Sequence, residues 1–103
     1  MLPILCVKDE ALMKPSTFMT YSYNGWFPGH ATLSHSMYGS ELVSQAAADA
    51  VCAADLGAGF RMAEHHDGTG HIGWGFGAIG SIQAGTRFWV TIHDQPANPW
   101  DPL

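Results

Sequence analysis

Hydrophobic and polar positions alternate with period two in several stretches of this chain. Arg87 to His93 sets Phe88, Val90 and Ile92 against Arg87, Trp89, Thr91 and His93. Ile72 to Ala78 sets Ile72, Trp74, Phe76 and Ala78 against Gly73, Gly75 and Gly77. Phe60 to His66 divides into Phe60, Met62, Glu64 and His66 on one side and Arg61, Ala63 and His65 on the other. Such alternation places successive side chains on opposite faces of a strand. Residues 16–24 are rich in β-formers, with Phe18, Thr20 and Ser22 alternating with Met19, Tyr21 and Tyr23. Asn24-Gly25 and Pro28-Gly29 read as turns, which leaves Trp26-Phe27 as an aromatic pair in a loop.

A helical pattern replaces alternation from Gln45 to Leu56. Ser44 suits the N-cap (Ser40 if the helix begins a turn earlier), and Gly57 suits the residue that ends it. Ala46, Ala47, Ala50, Val51 and Ala54 form a small-residue face, with Gln45, Asp49 and Asp55 on the wet side. The elements predict an α+β fold: a small antiparallel sheet with one Ala-rich helix packed on it. Residues 1–15 show no clear period and end at Pro15. They read as an N-terminal arm with one strand at most, and residues 16–103 as a single α+β domain.

The length of 103 residues suits one domain. Four Lys or Arg stand against nine Asp or Glu, a net charge of −5. Lys8, Lys14, Arg61 and Arg87 are scattered, so a phosphate-binding surface is excluded and nucleic acid with it. No apolar run approaches the roughly 18 residues of a membrane-spanning helix. The apolar start, Met1 to Val7, is too short for a signal sequence and lacks a basic flank.

Cys6 and Cys52 are the only cysteines. They either bridge one another or stand as a buried helix thiol and an incidental terminal one. Without a Cys-x-x-Cys pair, a thiolate zinc site or redox dithiol is not expected.

Two stretches carry a resemblance. One runs from Ala46 through Cys52 and Gly57 into Gly59-Phe-Arg-Met-Ala-Glu-His-His-Asp-Gly68; the other is Arg87-Phe-Trp-Val-Thr-Ile-His-Asp-Gln-Pro-Ala-Asn98 with Trp100. Together with Gly73-Trp-Gly-Phe76, they resemble an uncharacterised family of small bacterial secreted domains, over roughly the last 60 residues. The resemblance implies a secreted or periplasmic location. It also implies a late cysteine where this chain has Pro99, so a bridge from Cys52 to that segment cannot form. Cys52, Gly57, Arg61-Met62-Ala63, Gln95-Pro96-Ala97-Asn98 and Trp100-Asp101 also follow an order similar to the C-type lectin-like fold. That likeness would make Gln95, Asn98 and Asp101 contacts for Ca²⁺ and sugar, although Ala97 replaces the acidic residue after the proline.

Glu64-His65-His66-Asp67 with His71 is the sharpest polar cluster. Imidazoles and carboxylates at one strand end suit Zn²⁺ or a similar ion. His65 and His66 point to opposite faces of a strand, so His66, His71 and either Asp67 or His93 make the easier ligand set. The plain alternative is polar capping of a strand and the turn Gly68-Thr69-Gly70. For glycoside hydrolysis the candidate carboxylates are Glu64, Asp67 and Asp94, with Glu64 equally suited to pair with Arg61 or Arg87. No serine-nucleophile elbow, phosphate loop or dinucleotide fingerprint is present, so no nucleotide cofactor is expected.

Trp26, Trp89 and Trp100 are rings on which sugar faces can stack, while Gln95, Asn98 and Asp101 can fix hydroxyls. Trp26 and Trp100 lie in turn-rich segments and are expected to be exposed; Trp74 is expected in the core. Three readings follow: a carbohydrate-recognition domain, a small hydrolase built on Glu64 or on His66 and His71, and a self-associating domain. In the last, the Gly73, Gly75 and Gly77 face packs on a second copy.

Overall fold

A computed structural model describes residues 1–18, 25–68 and 76–101. β1 (Leu2–Asp9) lies inside a four-stranded sheet of order β3-β1-β2-β4, with β2 spanning Gly25–Met37, β3 Arg61–Met62 and β4 Phe76–Ile79. Ile4, Leu5, Cys6 and Val7 are all buried. A strand covered on both faces loses its alternation, which is why residues 1–15 show no period although they contain the innermost strand. β1 pairs antiparallel with β2, from Leu2 opposite Met37 to Asp9 opposite Gly29, and antiparallel with β3 at Cys6 and Met62.

The sheet is mixed, not wholly antiparallel. β2 and β4 run parallel, with Gly25 opposite Phe76 and Trp26 opposite Gly77. Residues 87–93 form no continuous strand. Instead Trp89 and Thr91 make isolated parallel bridges to Ile4 and Glu64. The Trp89 N–H donates to Pro3 O at 2.8 Å, and Trp89 O accepts from the Leu5 N–H at 3.0 Å. Two residues on, the Thr91 N–H donates to Ala63 O at 2.9 Å and Thr91 O accepts from the His65 N–H at 2.7 Å. β3 is short because this segment takes over the hydrogen-bonding groups that β3 leaves.

Two sequence signals have other causes than those expected. Trp26-Phe27 lies within β2 and is 7% and 2% exposed, so Trp26 is no surface ring. Its Nε1 donates to Leu12 O at 3.0 Å. Pro28-Gly29 is also inside β2. A Cβ on Gly29 would sit 1.9 Å from Lys8 O, so this glycine serves a close strand approach instead of a turn. The expected strand at 16–24 falls mostly on residues outside those described, and Phe18 closes a turn onto Pro15 O at 3.0 Å. The bare Gly77 backbone does receive a ring, from this same chain: a Cβ there would lie 2.2 Å from Phe18. Gly73, Gly75 and Trp74 lie outside the described residues.

α1 runs Gln45–Leu56 after a 3₁₀ turn at Gly39–Glu41. Ser44 Oγ accepts from the Ala47 N–H at 3.1 Å, and Gly57, at φ 114°, ends the helix in a conformation that favours glycine. Its buried face is Ala48 and Cys52, with Val51 and Leu56 packed beside them. The expected face is rotated: Ala46, Ala50 and Ala54 are exposed. With alanines on most sides, composition cannot choose the face; the Cys6–Cys52 disulfide does, with Cα atoms 5.7 Å apart. Asp49 and Asp55 consequently have partners. Asp49 Oδ1 accepts from the Met62 N–H at 2.9 Å, and Asp55 Oδ2 accepts from the His35 N–H at 2.8 Å and lies 2.6 Å from its Nδ1.

The sheet thus has two apolar faces. Ile4, Cys6, Met37 and Met62 meet α1 with Leu42, Trp89 and Trp100 around them. Leu5, Val7, Phe27, Ala31 and Ala63 form the other core, flanked by Phe76, Ile82 and Phe88. No described helix is long and apolar enough to cross a membrane.

Two outcomes test this arrangement. The bridge closes a separation of 46 residues, and Cys52→Ala should lower stability by about 4 kcal/mol in urea unfolding, the entropy of a loop that long. Hydrogen bonds from the backbone and then the ring of His35 hold the Asp55 carboxyl below its ordinary 3.8. A depressed carboxyl stabilises the fold above that value and loses its contribution as pH falls through the folded-state pKa. Acid titration of wild type and Asp55→Asn should therefore show a stability gap above pH 3.8 that closes in stronger acid.

Candidate functional site

After β3 the chain turns at residues 64–67, and the polar cluster singled out there is chiefly a knot of structural bonds. Arg61 donates to both Asp67 oxygens, at 3.1 and 3.0 Å, to Asp9 at 3.2 and 3.5 Å, and to Met62 O at 3.3 Å. Its guanidinium also lies 5.7 Å from the centre of the Phe27 ring. Burial works against the cation, but the bonds from Asp67 and then Asp9 outweigh it and hold the Arg61 pKa above its ordinary value. Asp67 Oδ2 also accepts the Glu64 N–H at 2.6 Å. Arg61 therefore pairs with Asp67 and Asp9, not with Glu64.

The Glu64 carboxylate is taken up by backbone, accepting from the His66 N–H and, at 3.2 Å, from the His93 N–H. Asp94 Oδ2 lies 3.2 Å from His66 Nε2. The three carboxylates expected to serve hydrolysis are thus engaged separately: Asp67 with a guanidinium, Glu64 with two amides, Asp94 with an imidazole. Of the expected metal set, the described members His66, Asp67 and His93 each face another partner. His66 is turned to Asp94 and stacks edge-on with His65 at 4.8 Å, while His93 Nε2 lies 3.0 Å from Gln45 Oε1. Among the described residues no three His, Cys, Asp or Glu are grouped to hold a metal ion, whether Zn²⁺ or Ca²⁺. His71 lies outside them.

Beyond Thr91 the chain folds into a loop held by Asn98. Asn98 Oδ1 accepts from Thr91 Oγ1 at 2.8 Å and the Ile92 N–H at 2.6 Å. Its Nδ2 donates to Ile92 O and to Asp101 Oδ2, both at 2.9 Å. Asp101 Oδ2 also accepts the Asn98 N–H at 2.8 Å. An amide has two donor and two acceptor positions, and Asn98 uses all four inside the protein. Asn98 and Asp101, expected as ligand contacts, shape the loop and also line the cleft beside it.

That loop forms one wall of an open cleft of about 510 Å³. Gln95, Pro96 and Trp100 meet His93 and Asp94 there, with Gln45 from the first turn of α1 across from them. His93, Asp94, Gln95 and Pro96 are exposed; Trp100 is half-buried against the helix-side core. Trp89 belongs to that core, its Nε1 donating to Met37 O at 3.3 Å. Of the residues singled out from the sequence as ligand contacts, Gln95, Asn98, Trp100 and Asp101 line this cleft, Asn98 and Asp101 with bonds already made across the loop, and Trp26 and Trp89 do not. Gln45 was missed. It reads as a wet helix residue, and only the packing of α1 brings it to the loop.

Compared with protein-family models, curated proteins and solved structures, the chain matches none.

Asp67→Asn should weaken the Arg61 pair and cost about 2 kcal/mol in urea unfolding, as expected for charged hydrogen bonds half-shielded from water. Asn98→Ala, which removes four bonds at once, should cost at least as much and speed proteolytic cleavage between residues 92 and 101.

Proposed function

We propose that this domain binds carbohydrate, without transforming it, in the cleft between the first turn of α1 and the loop of residues 92–101. The observation that carries the reading is the convergence of one indole face, Trp100, with the hydrogen-bonding side chains of Gln45, His93, Asp94 and Gln95 in a single open cleft. A pyranose offers CH faces that stack on an indole and a ring of hydroxyls that need donors and acceptors, and this cleft holds both. Its openness suits an extended glycan that enters from the side.

Charge narrows the ligand. The chain carries −5, and Asp94 stands in the cleft. Uronic acids and sulfated sugars would meet repulsion, so the ligand is a neutral or amino sugar. Binding is favoured over hydrolysis because Glu64 and Asp67 are committed to holding the chain. The order of motifs similar to lectin-like proteins supports the same loop, where Gln95, Asn98, Trp100 and Asp101 all line the cleft. A secreted or periplasmic location accords with the Cys6–Cys52 bridge, which persists in oxidising compartments.

Affinity electrophoresis on a panel of neutral and acidic polysaccharides tests the proposal. Wild type should be retarded by at least one neutral glycan. Trp100→Ala should lose about tenfold in affinity and Gln95→Ala a smaller factor, each remaining folded. Retardation by acidic glycans alone, or unchanged retardation in both variants, would sink the reading.

A further inference from the structure

Charge is unevenly distributed in the cleft between α1 and the loop of residues 92–101. Two carboxylates line it, Asp94 and Asp101. Lys8, Lys14, Arg61 and Arg87, the only Lys and Arg of the chain, all lie outside that lining.

Hydrogen bonding is uneven as well. Asp101 receives the Asn98 N–H and Nδ2, both on Oδ2. Asp94 meets His66 Nε2 through its own Oδ2, at 3.2 Å. Among the described residues, the Oδ1 atom of each carboxylate takes no hydrogen bond from the chain. Gln45 Oε1 is engaged by His93 Nε2, and all four positions of Asn98 are spent. A carboxylate oxygen only accepts, so the cleft has acceptors of negative charge left over.

The N-terminus of α1 opposes this bias, since Gln45 opens the helix and that end of its dipole favours anions. Its charge amounts to about half a unit. Ser44 moreover occupies the Ala47 and Ala48 N–H groups with its Oγ and its carbonyl oxygen. Two full carboxylates outweigh it.

We infer that the cleft selects an amino sugar whose amine is free and protonated, over neutral and N-acetylated sugars; the inference rests on the carbohydrate reading above. An ammonium brings three donors and a positive charge to the unspent acceptors. A hydroxyl in its place offers one donor and no charge. An acetamido group offers one N–H, but it also carries a carbonyl oxygen toward the carboxylates. Trp100 directly precedes Asp101, and an indole face attracts a cation as well as stacking on the sugar ring.

Titration calorimetry in dilute neutral buffer tests the inference with three tetramers of one backbone that differ only at C2: cellotetraose, the N-acetylglucosamine tetramer and the glucosamine tetramer. The glucosamine tetramer should bind about fivefold more tightly than either of the others. Added salt should erase most of that advantage. Asp94→Asn should cut it to about twofold or less, whereas Glu10→Gln, which removes the same charge outside the cleft, should preserve it. Equal or weaker binding of the glucosamine tetramer, an advantage indifferent to Asp94→Asn, or equally tight binding of tetralysine would overturn the inference. If the neutral tetramers bind and the advantage is missing, the carbohydrate reading stands without it. Binding by none of the three would also overturn the inference, and the polysaccharide panel then decides the carbohydrate reading by itself.

Discussion

The Cys6–Cys52 bond joins the middle of the innermost strand to the buried side of α1, and the orientation of everything on that helix follows from it. Once Cys52 is anchored over Cys6, Ala48 falls on the core, Asp49 reaches the Met62 amide and Asp55 reaches His35. Gln45 is set by the same rotation beside His93. An Ala-rich helix has little side-chain bulk with which to choose its own seat, so a covalent tie carries that choice. In a domain whose core is divided into two modest clusters, a crosslink over that span supplies stability that burial alone supplies sparingly.

The polar residues then divide into those whose bonds build the turns and those that lie at the open cleft. Buried or half-buried carboxylates and amides are stable only when their partners are supplied. Asp67, Glu64, Asn98 and Asp101 all find theirs inside the chain. They are the residues that looked most like chemistry from the sequence, because a tight turn and an active site call on the same side chains. What remains toward solvent is quieter: two glutamines, a histidine, an aspartate and one indole face.

The helix and its caps were legible because propensity, Ser44 and Gly57 agree. The α+β class was legible from alternation beside a helical period. The parallel course of β2 and β4 was not, since alternation is the same for both directions of pairing. β1 was obscured by being buried on both sides, and Gly29 mimicked a turn while serving strand contact. At the candidate site, the segment from Gln95 to Asp101 stood out through its amides and Trp100. Which of its members face outward depended on hydrogen bonds across the loop, and local sequence does not encode those.

The position of β1 bears on how the chain assembles. It is the first strand in order and the innermost in space, and its partners come from far along the chain: Thr32 on one side, Met62 on the other, Trp89 beyond. Pairings so distant must close long loops before they return any stability, which makes folding slow. Until those partners arrive, Ile4-Leu5-Cys6-Val7 is a bare apolar strand with both edges open, the kind of segment that pairs with its copies. Once formed, the Cys6–Cys52 bond keeps that segment tied to α1 even when its other partners let go, so the same bond that orients the helix also withholds the strand from its copies.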